Sequence, residues 1–256
     1  MLWKASAIEG YAIAATDGSI GTIIDFLFDD VTWQIRWVVV DTGKWLSGRR
    51  VLLPPSAMGH VDAAGREFSV RLTKQQVKDS PDVDTQRPVS RQMEASVYDY
   101  YGWYPYWTSS FYIGSFAYAG EGSMAPLDPD AAKGAAGAIR NKNDDPHLRS
   151  VAAVTGYHIH ATDGEIGHAE DFLVEDGDWS IHYVVVDTKN WWPGERVLVS
   201  PRSVKEIDWS SHLISLDVDR QKVKASPAYN PSIEVDRDYE KHFHAYYDGA
   251  GTGMRS

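Results

Sequence analysis

The chain has 256 residues, 43% hydrophobic and 24% charged, with 25 Lys plus Arg against 36 Asp plus Glu, for a net charge of -11. This composition excludes a largely disordered chain, and the acidic balance excludes nucleic acid as the main partner, because neutralising phosphates needs surplus basic charge. The absence of cysteine excludes disulfides, thiolate metal sites and Cys nucleophiles.

The opening MLWKASAIEG lacks the apolar run of a signal peptide, and no stretch approaches about 18 uninterrupted apolar residues. The expectation is a cytoplasmic protein without a membrane span. Short strands follow in chain order. Tyr11–Ala14 runs into Asp17-Gly18, a hairpin turn, and Ile20–Asp29 returns. Ile35–Asp41 carries three consecutive valines, the pattern of a strand packed on both faces. Gly48 opens a turn into Val51–Leu53, which Pro54-Pro55 ends. Val61 and Phe68–Leu72 flank an Ala-Ala-Gly turn, and such short strands with regular turns predict a small closed barrel. Thr73–Lys78 reads as a helical turn stopped by Pro81. A second helix, N-capped by Ser90, places Glu94 early and sets Met93, Val97, Tyr100 and Tyr101 on one apolar face.

About eleven aromatic residues then crowd Tyr98 to Tyr118, where Gly102, Pro105 and Gly114 prevent one regular helix. Two readings stand side by side. Trp103, Tyr104, Tyr106, Trp107 and Phe111 could supply a partner or self-association surface, or the segment could be a connector buried within the monomer. The ring area favours a homodimer that uses part of it. Gly120–Asp145, rich in Ala, Gly, Pro and charge, reads as a mobile linker.

After the linker the first half returns. GYAIAATDGSIGTIIDFLFDD at 10–30 reappears as GYHIHATDGEIGHAEDFLVED at 156–176, and WVVVDTGKWLSGRRVLLPP at 37–55 as YVVVDTKNWWPGERVLVSP at 183–201. Every match keeps the offset of 146, and about 38 of the 92 positions from Gly10 to Tyr101 are identical. The second C-terminal helix, N-capped by Asp236, carries Glu240 and the face Tyr239, Phe243, Tyr246 and Tyr247. Two copies of one domain predict two barrels related by a pseudo-twofold axis, as in an ancestral homodimer. The expected units are 1–101 and 148–247, with the aromatic segment and linker at 102–147 and a disordered tail at 248–256.

The pattern G-Y-x-I-x-A-T-D-G-x-I-G-x-x-x-D-F-L, then V-V-V-D-T, then V-L-x-x-P, resembles the PRC-barrel domain, named for the cytoplasmic part of the photosynthetic reaction-centre H subunit and found also in a ribosome-maturation factor. The resemblance covers both copies. It implies a mainly β fold of two small six-stranded barrels in tandem, each followed by short helices. It also implies a role in protein–protein contact, with no catalytic residues common to the family.

His158, His160, His168 and Glu170 are candidate metal ligands, since alternate strand residues share a face and a hairpin brings the two strands together. Surface histidines without metal are the competing reading. His242 and His244 sit two apart on a helix and suit ligation less. The acids repeated between copies, Asp17/Asp163, Asp25/Asp171, Asp30/Asp176 and Asp41/Asp187, could do acid–base work, but turns and strand ends give them structural roles. Trp45, Trp191 and Trp192 occupy a barrel loop as anchors or interface residues. No phosphate-loop, G-x-S-x-G or H-E-x-x-H motif is present.

The expectation is a non-enzymatic adaptor without cofactor, serving assembly or regulation of a membrane-associated electron-transfer or stress-related complex. Its partners are an unnamed protein and a second copy of the chain, with no nucleic acid; peripheral membrane association would run through a partner. The alternative is a small-ligand or metal-binding protein using the His-rich face.

Overall fold

Asp-Gly hairpins at 17–18 and 163–164 start the same strand path twice. The structure, a computed structural model, describes residues 1–46, 48–80, 91–103, 148–188, 195–230, 235 and 237–249. In the first half β1 (Leu2–Lys4) and α1 (Ala5–Ile8) precede β2 (Ala12–Ala15), β3 (Gly18–Asp29), β4 (Ile35–Asp41), β5 (Arg50–Leu53), β6 (Met58–Asp62) and β7 (Glu67–Val70). Two helices follow, α2 (Lys74–Lys78) and α3 (Arg91–Tyr101). The second half repeats the series as β8 (Leu148–Ser150), α4 (Val151–Val154), β9 (His158–Ala161), β10 (Gly164–Glu175), β11 (Ile181–Asp187), β12 (Arg196–Val199), β13 (Val204–Asp208) and β14 (Leu213–Leu216). It ends with α5 (Arg220–Lys224) and α6 (Arg237–Gly249).

The strand orders are β5-β4-β3-β2-β7-β6 and β12-β11-β10-β9-β14-β13, identical at the repeat offset. Pairing is antiparallel except for β2 with β7 and β9 with β14. Two expectations need correction here. The paths do not close, so each half is an open seven-stranded sheet and not a six-stranded barrel. The seventh strand, moreover, comes from the other half: β1 pairs with β10, and β8 pairs with β3. The reason is a difference in length. β3 has 12 residues and β2 only four, so Leu27–Asp29 would leave an unpaired edge without a further strand.

The core follows the strand alternation. Ile35, Val38 and Val40 of β4 join Ile13, Ile23, Phe26 and Phe28 in a cluster that runs continuously into Ile159, Phe172, Val184 and Val186. Phe28 and Phe172 have ring centroids 6.1 Å apart, so the two halves share one interior. The opposite faces of β4 and β11 are also covered. Trp37, Val39, Leu27 and Leu52 pack with Val97 and Tyr98 of α3. Tyr183, Val185, Leu173 and Leu198 pack with Phe243 of α6. These are the two-faced strands and the helix-on-sheet packing that the valine runs and the helix periodicity predict. Tyr100, on the edge of its helix, is instead 40% exposed, and its hydroxyl donates to Gln76 O at 3.1 Å.

Local chemistry repeats as well. Thr73 and Gln76 form a reciprocal capping box on α2, and Asp219 accepts from Lys222 N–H on α5. Gly21 and Gly167 pass so close to the carbonyls of Asp41 and Asp187 that a Cβ at either position would collide with backbone. α6 runs to Gly249, so the first two residues assigned to a tail are helical. Ser90, Asp236 and Pro81 lie outside the described residues.

Candidate functional site

The most elaborate polar arrangement is the pair of arms that cross between halves. Both have the pattern of a short extended segment, small residues, then an aliphatic: LWKASAI at 2–8 and LRSVAAV at 148–154. Ile8 and Val154 end the arms fully buried, as do Ala5 and Val151 at the helix starts. Gly10 and Gly156, with φ of 76° and 90°, then turn the chain into β2 and β9, a left-handed conformation that glycine adopts without steric cost.

Each arm is held by the repeated acids of the other half. Asp25 Oδ2 accepts from the Ser150 hydroxyl at 2.5 Å, and Asp25 Oδ1 accepts from Ala152 N–H at 3.0 Å. Reciprocally, Asp171 Oδ2 accepts from the Ser6 hydroxyl at 2.5 Å and its Oδ1 from Ser6 N–H at 3.2 Å. Asp30 takes Arg149 Nε at 2.6 Å. Its counterpart Asp176 takes Trp3 Nε1 at 3.0 Å and the N-terminal ammonium at 2.7 Å. Burial pushes the Asp25 carboxyl up, against the opposing pull of its Ser150, Ala152 and Phe26 donors. Glu9 is raised by burial and then by the charges of Asp25 and Asp171, which places all three carboxyls near the junction of the halves.

At that junction Gln34 and Ser180 form a β-bridge, and each occupies the other's place in the repeat. Ile35 N–H donates to Trp179 O and Ile181 N–H to Trp33 O, both at 2.8 Å. The pseudo-twofold axis therefore passes between Gln34 and Ser180.

The remaining repeated acids are also committed. Asp17 accepts from Lys74 N–H at 2.7 Å and Asp163 from Arg220 N–H at 2.8 Å, so each ties a helix start to a hairpin. Asp41 accepts from Gly43 N–H at 2.7 Å.

The His-rich face forms only in part. His158 and His168 stand opposite each other on β9 and β10, and His160 stands opposite Glu165. Their polar partners diverge. His158 Nδ1 lies 2.9 Å from Glu165 Oε1, and His168 Nε2 lies 3.8 Å from Asp187 Oδ2. Glu170 faces the Arg196 guanidinium, which occupies both its oxygens. Among the described residues no group of three or more His, Asp or Glu is placed to hold a metal ion. The four candidate ligands are thus not drawn together. Two other histidines serve α6: His182 Nδ1 lies 3.2 Å from Glu240 Oε1, and His244 Nε2 lies 3.3 Å from Tyr183 Oη. Burial and the nearby Glu240 push the Tyr183 hydroxyl up.

Of the aromatic candidates, Trp103 stacks on Tyr101 at 4.1 Å and packs beside the α3 cluster of its own chain. Trp45 lies against the main core with Lys74 Nζ 4.7 Å from its ring. Tyr104, Tyr106, Trp107, Phe111, Trp191 and Trp192 lie outside the described residues. The sequence reading overlooked Trp3, Ser6, Arg149 and Ser150. Their signal was the faint repeat upstream of Gly10, where Leu2 and Ala7 recur as Leu148 and Ala153.

Residues 4–77 match the PRC-barrel domain. The match opens inside the first arm and ends in α2, so it takes in the strand path and the arm together. A Deinococcus radiodurans protein described as uncharacterized is 38% identical over 82 residues, which span 32% of this chain. The chain matches 29% of that relative's own length. At the level of the family, the PRC-barrel match points to a non-enzymatic module. No helix among the described residues is long and apolar enough to cross a membrane.

Proposed function

We propose that the chain is a non-enzymatic protein-interaction module, an adaptor in which both repeats are of the PRC-barrel type. It serves assembly or regulation of a larger complex, of the membrane-associated electron-transfer or stress-response kind. One observation carries this reading: Asp17, Asp25, Asp30 and Asp41, with Asp163, Asp171 and Asp176, are engaged by backbone N–H groups, hydroxyls or an opposing arm. Catalytic carboxylates need an oxygen available to substrate in a cleft. Asp25 and Asp171 have the burial and charge density of a reactive pair, yet their oxygens are filled by arm and strand donors. A duplicated scaffold with spent acids is suited to presenting surface.

The test is capture from the native host with the tagged full-length chain and with a version lacking residues 102–120. The adaptor reading expects a stoichiometric protein partner that survives washing at physiological salt. Recovery of no protein, together with consumption of a small molecule from a metabolite extract, would overturn it.

A further inference from the structure

We propose that the edge of β3 with Asp25 and Asp30, and the edge of β10 with Asp171 and Asp176, are segment receptors that act between chains as well as within one. The occupant is a second copy of this chain, which trades halves with the first.

The argument starts from what holds each arm. Leu27, Phe28 and Asp29 pair with Ser150, Arg149 and Leu148, while Leu173, Val174 and Glu175 pair with Lys4, Trp3 and Leu2. This is strand addition to a sheet edge, in which backbone bonds give affinity and side chains give selectivity. The selectivity is written twice in different chemistry. Asp30 meets a guanidinium, and Asp176 meets an indole N–H. A hydroxyl and a backbone N–H complete both sites. Each receptor therefore reads the arm of the unlike half, and a half paired with its like would lose these matches.

Among the described residues, the strand pairs and hydrogen bonds between the halves lie in 1–46 and 148–181, on either side of the segment 104–147, with the Phe68–Trp179 ring contact beside them. Pairing therefore needs a cognate half but not a particular connection to it. Tethering favours closure within one chain, because covalent connection makes the meeting of the halves intramolecular, at an effective concentration of about millimolar. Two chains refolding together at comparable concentration should trade halves. The product is a dimer containing two complete half-pairs, each drawn from both chains. This inference goes beyond the adaptor reading and does not depend on it.

The experiment uses the full chain with a protease site inserted within residues 121–140 and two distinguishable tags. Differently tagged chains are unfolded together, refolded at high concentration, and the dimer fraction is isolated and then nicked. Traded halves predict that nicking converts the dimer into monomer-sized particles carrying both tags, and that Asp25→Ala with Asp171→Ala raises at least tenfold the concentration at which those nicked particles separate into halves. A variant pair that fails to fold is replaced by Ser150→Ala with Ser6→Ala, for which the same weakening of the nicked particle is expected. A dimer that stays dimeric after nicking joins through another surface and overturns the proposal. So does nicked monomer that separates at micromolar concentration into two folded halves.

Discussion

Trp33 and Trp179 each hold a left-handed backbone, with φ of 59° and 56°, and each gives its carbonyl to the isoleucine that follows the other. Such a conformation costs a non-glycine residue about 1–2 kcal/mol. The shape of the axis requires it, since it turns the β3–β4 and β10–β11 connections toward one another. The rings offset the strain. Trp33 stacks on Phe28 at 5.3 Å, and Trp179 reaches Phe26 and Phe68 of the opposite half.

Trp179 belongs to the second repeat in sequence but to the first in packing. Trp179→Ala should therefore destabilise the whole chain by about 3–5 kcal/mol, the usual cost of emptying a buried tryptophan site. Urea unfolding followed by far-ultraviolet circular dichroism should show one transition at lower denaturant. A biphasic curve in which the first repeat keeps its wild-type midpoint would contradict the shared core.

The arms give a matched pair of substitutions. Ile8→Ala removes the aliphatic end of the first arm and should cost about 2–5 kcal/mol. Val154→Ala does the same for the second arm at somewhat smaller cost, having one methyl fewer to lose. Both residues are completely buried, and each sits with the core that the halves share. Differential scanning calorimetry should show both variants melting as a single unit below the wild type.

Asp25 sets a pH dependence of definite sign. Its folded pKa lies above the ordinary 3.8, chiefly through burial. The folded state therefore holds this proton more tightly than the unfolded chain does. Stability from this group is fully present below 3.8 and is lost as pH rises through the folded value. Asp25→Asn keeps an acceptor for the arm and removes the buried charge, so it should raise stability at pH 7 and flatten this dependence. Asp208 acts oppositely. Ser210 and Ser211 hold its carboxyl down at about 2, so its stabilisation is present above 3.8 and fades as pH falls through about 2. Stability measured from pH 2 to 8 in wild type and Asp25→Asn separates the two.

Gly21 admits no side chain. A methyl group there meets the Asp41 carbonyl, which is fixed backbone and cannot move aside cheaply. Gly21→Ala and Gly167→Ala should each lower the melting temperature more than Gly43→Ala, a position whose added Cβ meets nothing within 4 Å. Gly43 has φ of 55° whereas Gly21 does not have positive φ, so Gly43→Ala carries a backbone cost that Gly21→Ala lacks, and a larger loss at Gly21 is due to the clash alone.

The strand path was legible because hairpin and strand signals are local. Asp17-Gly18, the valine run at 38–40 and the helical turn at Thr73–Lys78 each act within a few residues. The repeat offset then made the second half readable from the first. The arm exchange was hidden for the opposite reason. Lys4 finds Leu173, and Ser150 finds Leu27, across more than a hundred residues, and three-residue strands carry little periodicity. For the repeated acids, the sequence signals point only to partners nearby in sequence. Asp25 and Asp171 look beyond the local strand to the opposite arm. The His-rich face shows the limit of alternation, which brought His158 and His168 together while Arg196 claimed Glu170.

The central claim is that the two repeats meet as one intertwined pair about an axis between Gln34 and Ser180. These residues form a non-hydrogen-bonded antiparallel pair, for which Cα atoms lie about 4.5 Å apart, inside the range of about 4.4–6.8 Å that a disulfide spans. The chain has no cysteine, so Gln34→Cys with Ser180→Cys introduces the sole thiols. Mild oxidation of the dilute double variant should give a quantitative intrachain disulfide, read as a loss of about 2 Da with no change in particle size. Thiols that remain free, or that join only between chains, would contradict the account.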